Sequence, residues 1–107
     1  MNSPRDEINR LIAGFWKTQA IYVAVRLRIP DLLAAGPQTA DRLAGESSSH
    51  PRSLYRLLRA LASSGVFSED DEHRFALTPL SECLRCDSPD SMAALAWMRG
   101  DWQYRAW

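Results

Sequence analysis

Cys83 and Cys86 stand three apart in "ECLRCDSP", the spacing of half a zinc site or of a redox pair. A structural zinc site needs two further ligands, and the two histidines, His50 and His73, form no paired motif. A redox pair wants a strand before it and a helix N-terminus beneath it. Here Thr78-Pro79 starts a helix several residues earlier, so both cysteines are expected late in that helix as reduced thiols, one of them buried. The acids Glu69, Asp70, Asp71 and Glu72 are adjacent and lack the spacing of a calcium loop, which makes them a solvated turn. Gly14, Gly36, Gly45, Gly65 and Gly100 are all isolated, so no phosphate-cradling loop is visible. No Ser/His/Asp set and no carboxylate pair stands out. No catalytic, cofactor-binding or metal-ligating residue is therefore assigned, and the chain alone is expected to be non-catalytic.

Arg52, Arg56 and Arg59 offer a different chemistry. They share the polar side of the segment "SLYRLLRALASSG", where a helix-turn-helix regulator carries its DNA contacts. Yet Lys+Arg and Asp+Glu are both 13, a net charge of zero. Phosphate contacts supply most DNA affinity, so duplex binders are usually basic. Asp41 and Glu46 flank the same region, and the turn at 69–72 is acidic. The arginines read better as solvated helix surface, with a DNA-binding regulator as the alternative.

The elements that would position these residues follow from periodicity and caps. Ser3 and Pro4 start a helix, with Asp6 and Glu7 at its positive end. Ile8, Leu11, Ile12, Phe15 and Gln19 then recur at helical spacing. From Thr18 the segment "TQAIYVAVRL" is apolar almost all round, and a helix of that kind must be covered on every side. Exposing several such residues would cost roughly 1.5–3 kcal/mol each. A second copy is the expected cover, with Ile21 and Val25 in the seam. No stretch approaches the ~20 apolar residues of a membrane span, and no signal peptide opens the chain, so a cytoplasmic protein is expected.

A turn of helix follows Pro30 and closes at Gly36. Thr39 caps a brief helix ending near Leu43–Ala44. Ser49 caps the next, Pro51 lies in its first turn and Gly65 ends it; Leu54, Leu57, Leu58 and Leu61 form its stripe. Val66–Phe67 and Arg74–Leu77 are two strands of a hairpin with a charged tip. Thr78 caps another helix. A last one starts near Ser88-Pro89, is bent or interrupted at Gly100 and carries aromatics to Trp107. The fold expected is mainly α: a winged helix over 29–78, an N-terminal helical arm over 1–28, and C-terminal helices over 79–107.

The chain resembles the N-terminal dimerisation domain of S-adenosylmethionine-dependent small-molecule O-methyltransferases, the group of plant caffeate and flavonoid enzymes and bacterial antibiotic-tailoring enzymes. The resemblance covers nearly all 107 residues. It rests on "GFWKTQAIYVAVRLRIPDLLAAGPQTADRLAG", on "SLYRLLRALASSGVFSE" and on "FALTPLSECLRCDSP". It implies that a Rossmann-like domain, not in this sequence, follows, binds S-adenosylmethionine and supplies a base histidine. It implies a homodimer, with Ile12, Phe15, Trp16, Ile21, Tyr22 and Val25 at the interface. It implies that Phe15, Trp16 and Gln19, and Trp97, Met98, Arg99 and Trp102, help close the pocket of a small-molecule acceptor. No nucleic-acid or membrane partner is implied, and the winged helix is not used on DNA.

Overall fold

The computed structural model describes residues 3–87 and 91–105, with side chains at all of these except 13 and 101–105. Helix α1 spans Pro4–Arg26, α2 Ile29–Leu32, a 3-10 turn Leu33–Ala35, strand β1 Gln38–Thr39, α3 Ala40–Ser47 and α4 Pro51–Ser63. Strands β2, Phe67–Glu69, and β3, Arg74–Leu77, follow, then α5, Pro79–Glu82, and α6, Ala93–Arg105. The chain is mainly helical, with one small antiparallel sheet.

Helix α1 begins with a reciprocal cap: the Ser3 hydroxyl accepts from the Asp6 amide at 3.2 Å, and the Asp6 carboxylate accepts from the Ser3 amide. Helix α4 ends as its glycine demands. Gly65 sits at φ +81°, its N–H donates to the Ala62 carbonyl, and the Val66 N–H reaches back to Leu61. That six-to-one bond satisfies orphaned carbonyls and folds Val66 under the helix. The Thr78 hydroxyl then points at the Gly65 and Val66 carbonyls, 2.8 and 2.9 Å away, tying the end of the hairpin to the end of α4.

The hairpin pairs Phe67 with Leu77 and Glu69 with Phe75. Its inward residues, Phe67 and Phe75, meet Leu54, Leu58 and Leu61 of α4 and Leu43 of α3 in one core with Ile29 and Leu33. Leu57, expected in the same stripe, is half-buried at its edge.

Several expectations need correction. A third strand, β1, joins the sheet beside β3 through Gln38 and Thr39. The N-cap of α4 is His50, whose Nδ1 accepts from the Ser53 amide at 3.3 Å, not Ser49. Helix α5 stops at Glu82, so Cys83 caps it, Cys86 lies in the turn beyond, and neither is buried. Helix α6 runs through Gly100 without interruption; its expected start at Ser88-Pro89 lies outside the described residues. The largest change concerns α1. Tyr22 and Val25 are 5% and 3% exposed within a single copy, so no partner is needed to cover them. The cover comes from α6, which packs along the second half of α1.

Candidate functional site

Helix α1 has two unlike halves. From Ala20 on, it sends Ala20, Ala24 and Val25 into the core, with Val23 exposed. Its first half carries an exposed apolar row. Ile8, Leu11, Ile12, Phe15 and Trp16 fall at helical spacing on one face and are 42–65% exposed. Of the residues expected at a subunit interface, Ile12, Phe15 and Trp16 lie on this open stripe, and Ile21 is half-buried below it. Monomeric proteins rarely expose an apolar row of this kind, and such rows mark interaction surfaces.

The second group expected near an acceptor lies on α6. Met98 is 61% exposed and Trp97 43%, and Arg99 is also exposed. The side chain of Trp102 lies outside the described residues. Trp97 meets Tyr22 edge to face, with ring centroids 5.9 Å apart and planes at 83°. The Gln19 amide donates through Nε2 to the Gly100 carbonyl at 3.2 Å. The two predicted groups are thus joined at their base through Gln19, Tyr22 and Trp97, while Phe15, Trp16, Met98 and Arg99 present open surface.

In the winged region charges gather around Glu69 and at the hairpin tip. Glu69 accepts from the Tyr55 hydroxyl at 2.7 Å and meets His73 Nδ1 at 2.9 Å. Arg59 donates to the same hydroxyl at 3.0 Å and lies 3.8 Å from Glu69. The His73 hydrogen bond, then that from Tyr55, hold the Glu69 carboxyl below its ordinary range, with a smaller contribution from the Arg59 charge. At the hairpin tip Arg74 pairs with Asp70 at 2.9 Å and with Glu72 at 3.5 Å. Of the three arginines that a regulator would offer to phosphates, Arg59 therefore already faces a carboxylate, as does Arg74 of the hairpin, while Arg52 and Arg56 are exposed. This cluster links α4 to the hairpin and is a finding that the sequence pattern did not show; the sequence alone assigns Tyr55 no role.

The cysteines carry no redox or metal chemistry that can be built from their surroundings. The Cys86 amide donates to Asp31 Oδ1 at 2.8 Å. Local desolvation, and then the Asp31 carboxylate, push the Cys86 thiol up, away from the reactive thiolate. Among the described residues no three His, Cys, Asp or Glu side chains gather as a metal site. No described helix is long and apolar enough to cross a membrane.

Comparison with known proteins places these features in a family. The profile of the O-methyltransferase dimerisation domain matches residues 9–86. A phenazine O-methyltransferase from Lysobacter antibioticus is 45% identical over 98 residues, which are 92% of this chain and 29% of that enzyme. A mitomycin biosynthesis 6-O-methyltransferase from Streptomyces lavendulae is 40% identical over 104 residues, 95% of this chain and 30% of the relative. The crystal structure of LaPhzM superposes with a TM-score of 0.90 at 42% identity, covering 99% of this chain and 32% of that one. The chain thus spans about a third of the length of the relatives it matches.

Proposed function

Because this chain belongs to the O-methyltransferase dimerisation-domain family, we propose that it joins two copies of an S-adenosylmethionine-dependent methyltransferase and helps close the pocket of a small-molecule hydroxyl acceptor. The observation that carries this reading is the open apolar stripe on α1, Ile8, Leu11, Ile12, Phe15 and Trp16, at 42–65% exposure. Fully burying side chains of this size is worth roughly 1.5–3 kcal/mol each. A stable subunit interface buries on the order of 2,000 Å² or more. The stripe supplies part of that area, and Ile21 and the exposed Leu95 of α6 extend it.

The relatives are methyltransferases roughly three times as long as this chain. We assign the methyl donor and the proton-accepting base to the Rossmann-like remainder of the parent enzyme. The share of this chain is geometric. Two copies joined at the α1 stripe bring Phe15 and Trp16 of one beside a pocket whose wall includes Met98 and Arg99. Aromatic and thioether faces suit a planar aromatic acceptor, and Arg99 suits an anionic group on it. Cys83 and Cys86 are free thiols, as proteins of a reducing compartment keep them, and we place the enzyme in the cytoplasm on that ground.

A winged helix bound to DNA has no observation in its favour. The hairpin is acidic, and the arginines nearest it are paired.

Light scattering of the full-length protein at micromolar concentration, with transfer of a labelled methyl group to a panel of phenolic acceptors, tests the proposal. A dimer that methylates a hydroxyl is expected. A monomer, or a protein that transfers no methyl group to any phenol, would sink it.

A further inference from the structure

Helix α6 is held to the rest of the chain chiefly by α1. The contact is unusually close at one point. Gly100 is buried, and a β-carbon there would overlap the Cβ and Cγ of Tyr22. The Gly100 carbonyl receives the Gln19 amide at 3.2 Å. One turn earlier Trp97 lies edge-on to the Tyr22 ring. Arg26 also meets Tyr22, donating to its hydroxyl at 3.1 Å with its guanidinium carbon 5.9 Å from the ring centroid. Ala93 and Ala96, on the same side of α6, complete the seat with small side chains. Leu95, Met98 and Arg99 lie on the other side of α6 and are exposed.

We propose that Gln19, Tyr22 and Gly100 form a latch that makes the placement of α6 depend on α1, so that docking of a second copy on the α1 stripe sets the acceptor-facing side of α6. Gln19 and Gly100 are positioning residues in this scheme, and Gln19 acts through the Gly100 carbonyl rather than on the acceptor. The physical reason is rigidity. An α-helix of 23 residues transmits the orientation of its outer half to its inner half, because its backbone bonds resist bending without a proline or bulge. Pro4 lies in the first turn, and no proline interrupts α1 after it. A helix seated on α1 by a notch with no spare volume must follow it, since close-packed interfaces move between discrete arrangements rather than deform.

The acceptor half of the proposal rests on the methyltransferase reading; the coupling half does not. Hydrogen exchange of the full-length protein separates them. In the wild type, amides of both α1 and α6 should be protected. The monomeric variant Ile12→Glu should lose protection in α6 as well as in α1, with α4 unchanged. Gly100→Ala should lose α6 protection while the protein remains a dimer. In turnover, Gly100→Ala and Gln19→Met should lower acceptor kcat/KM, by on the order of 10²-fold for a shift of about 1 Å, and leave the affinity for S-adenosylmethionine unchanged. Gln19→Met keeps about the length of the side chain and removes its amide, and serves if Gly100→Ala does not fold. A residue that merely stabilises the fold would lower Tm and leave acceptor kcat/KM in place. The latch is overturned if α6 exchange is the same in Ile12→Glu as in the wild type, or if both variants keep full acceptor kcat/KM. Coupled exchange in a wild type that transfers no methyl group would sink the methyltransferase reading and leave the latch standing.

Discussion

The winged body and the first half of α1 are built from the same residue types to opposite ends. In the body, α3, α4 and the sheet enclose Leu43, Leu58, Leu61, Phe67 and Phe75, each at most 1% exposed. In the arm, Leu11 and Ile12 are 65% and 62% exposed. Both segments show helical apolar spacing, so the pattern alone does not separate them. What separates them is whether the chain supplies a second surface. The body has the hairpin to close against α4. Among the described residues the arm's Ile8, Leu11 and Ile12 stay 56–65% exposed, and its apolar row is matched to another copy in the proposed dimer.

The sharpest break of that contrast is to hollow the body. Phe75 is fully buried and meets Tyr55 edge to face with centroids 5.7 Å apart. Phe75→Ala removes a ring from a site that cannot collapse without losing the sheet, a loss of about 3–5 kcal/mol. Urea or thermal denaturation of the full-length protein should show a large fall in the stability of this region. A loss below about 1 kcal/mol would mean that the core lies elsewhere.

The arm should answer differently. Ile12→Glu places a charge on an exposed stripe, so it should leave the denaturation midpoint of the body in place and abolish the dimer. Val25→Glu provides the control. Val25 is 3% exposed inside the protomer, and an unpaired buried carboxylate is costly. That variant should unfold rather than merely dissociate. Sedimentation of both variants reads the difference: a folded Val25→Glu monomer would move the interface back to the inner half of α1.

Those paired variants also mark what the sequence could and could not tell. The α4 stripe, the Ser3, Thr39 and Thr78 caps and the stop at Gly65 were legible, because each rests on residues within one or two turns of each other. The inner half of α1 was misread, because an all-round apolar helix says that a cover exists and not which chain supplies it. A signal was present in Gly100: a lone glycine in an aromatic helix is the mark of a close crossing, yet it suggests a bend just as readily. Strand β1 was missed because two residues carry no periodicity. The Tyr55, Glu69, His73 cluster was missed because its members are brought together only by the fold of the hairpin on α4. The acceptor-facing group was legible only through resemblance, since neither Met98 nor Arg99 carries a pattern of its own.

The smallest effect concerns what fastens the hairpin to α4. Glu69 has a side chain 14% exposed and a carboxyl held below its ordinary value of 4.5, first by the hydrogen bond from His73, then by that from Tyr55, with Arg59 adding its charge. A carboxylate whose pKa is lowered in the folded state contributes stability above the unfolded-state pKa and loses it as the pH falls through the folded value. The contribution is therefore whole at neutral pH and disappears below about 4.5, on the acid side only. Asp70 and Asp87 are also held low, Asp70 first by the Arg74 amide and Asp87 first by the Arg85 guanidinium, so acid destabilisation of the wild type sums several groups. Glu69→Gln isolates one. It keeps an oxygen for the Tyr55 hydroxyl and removes the charge, and hydrogen bonds to charged groups exceed neutral ones by about 1 kcal/mol. At pH 7 the variant should be less stable by about that amount, and the two proteins should converge as the pH falls. Tm measured for both across the acid range decides the matter. A difference that persists undiminished at low pH would show that Glu69 fastens the hairpin by its shape, and that the closure of the body against α4 owes nothing to its charge.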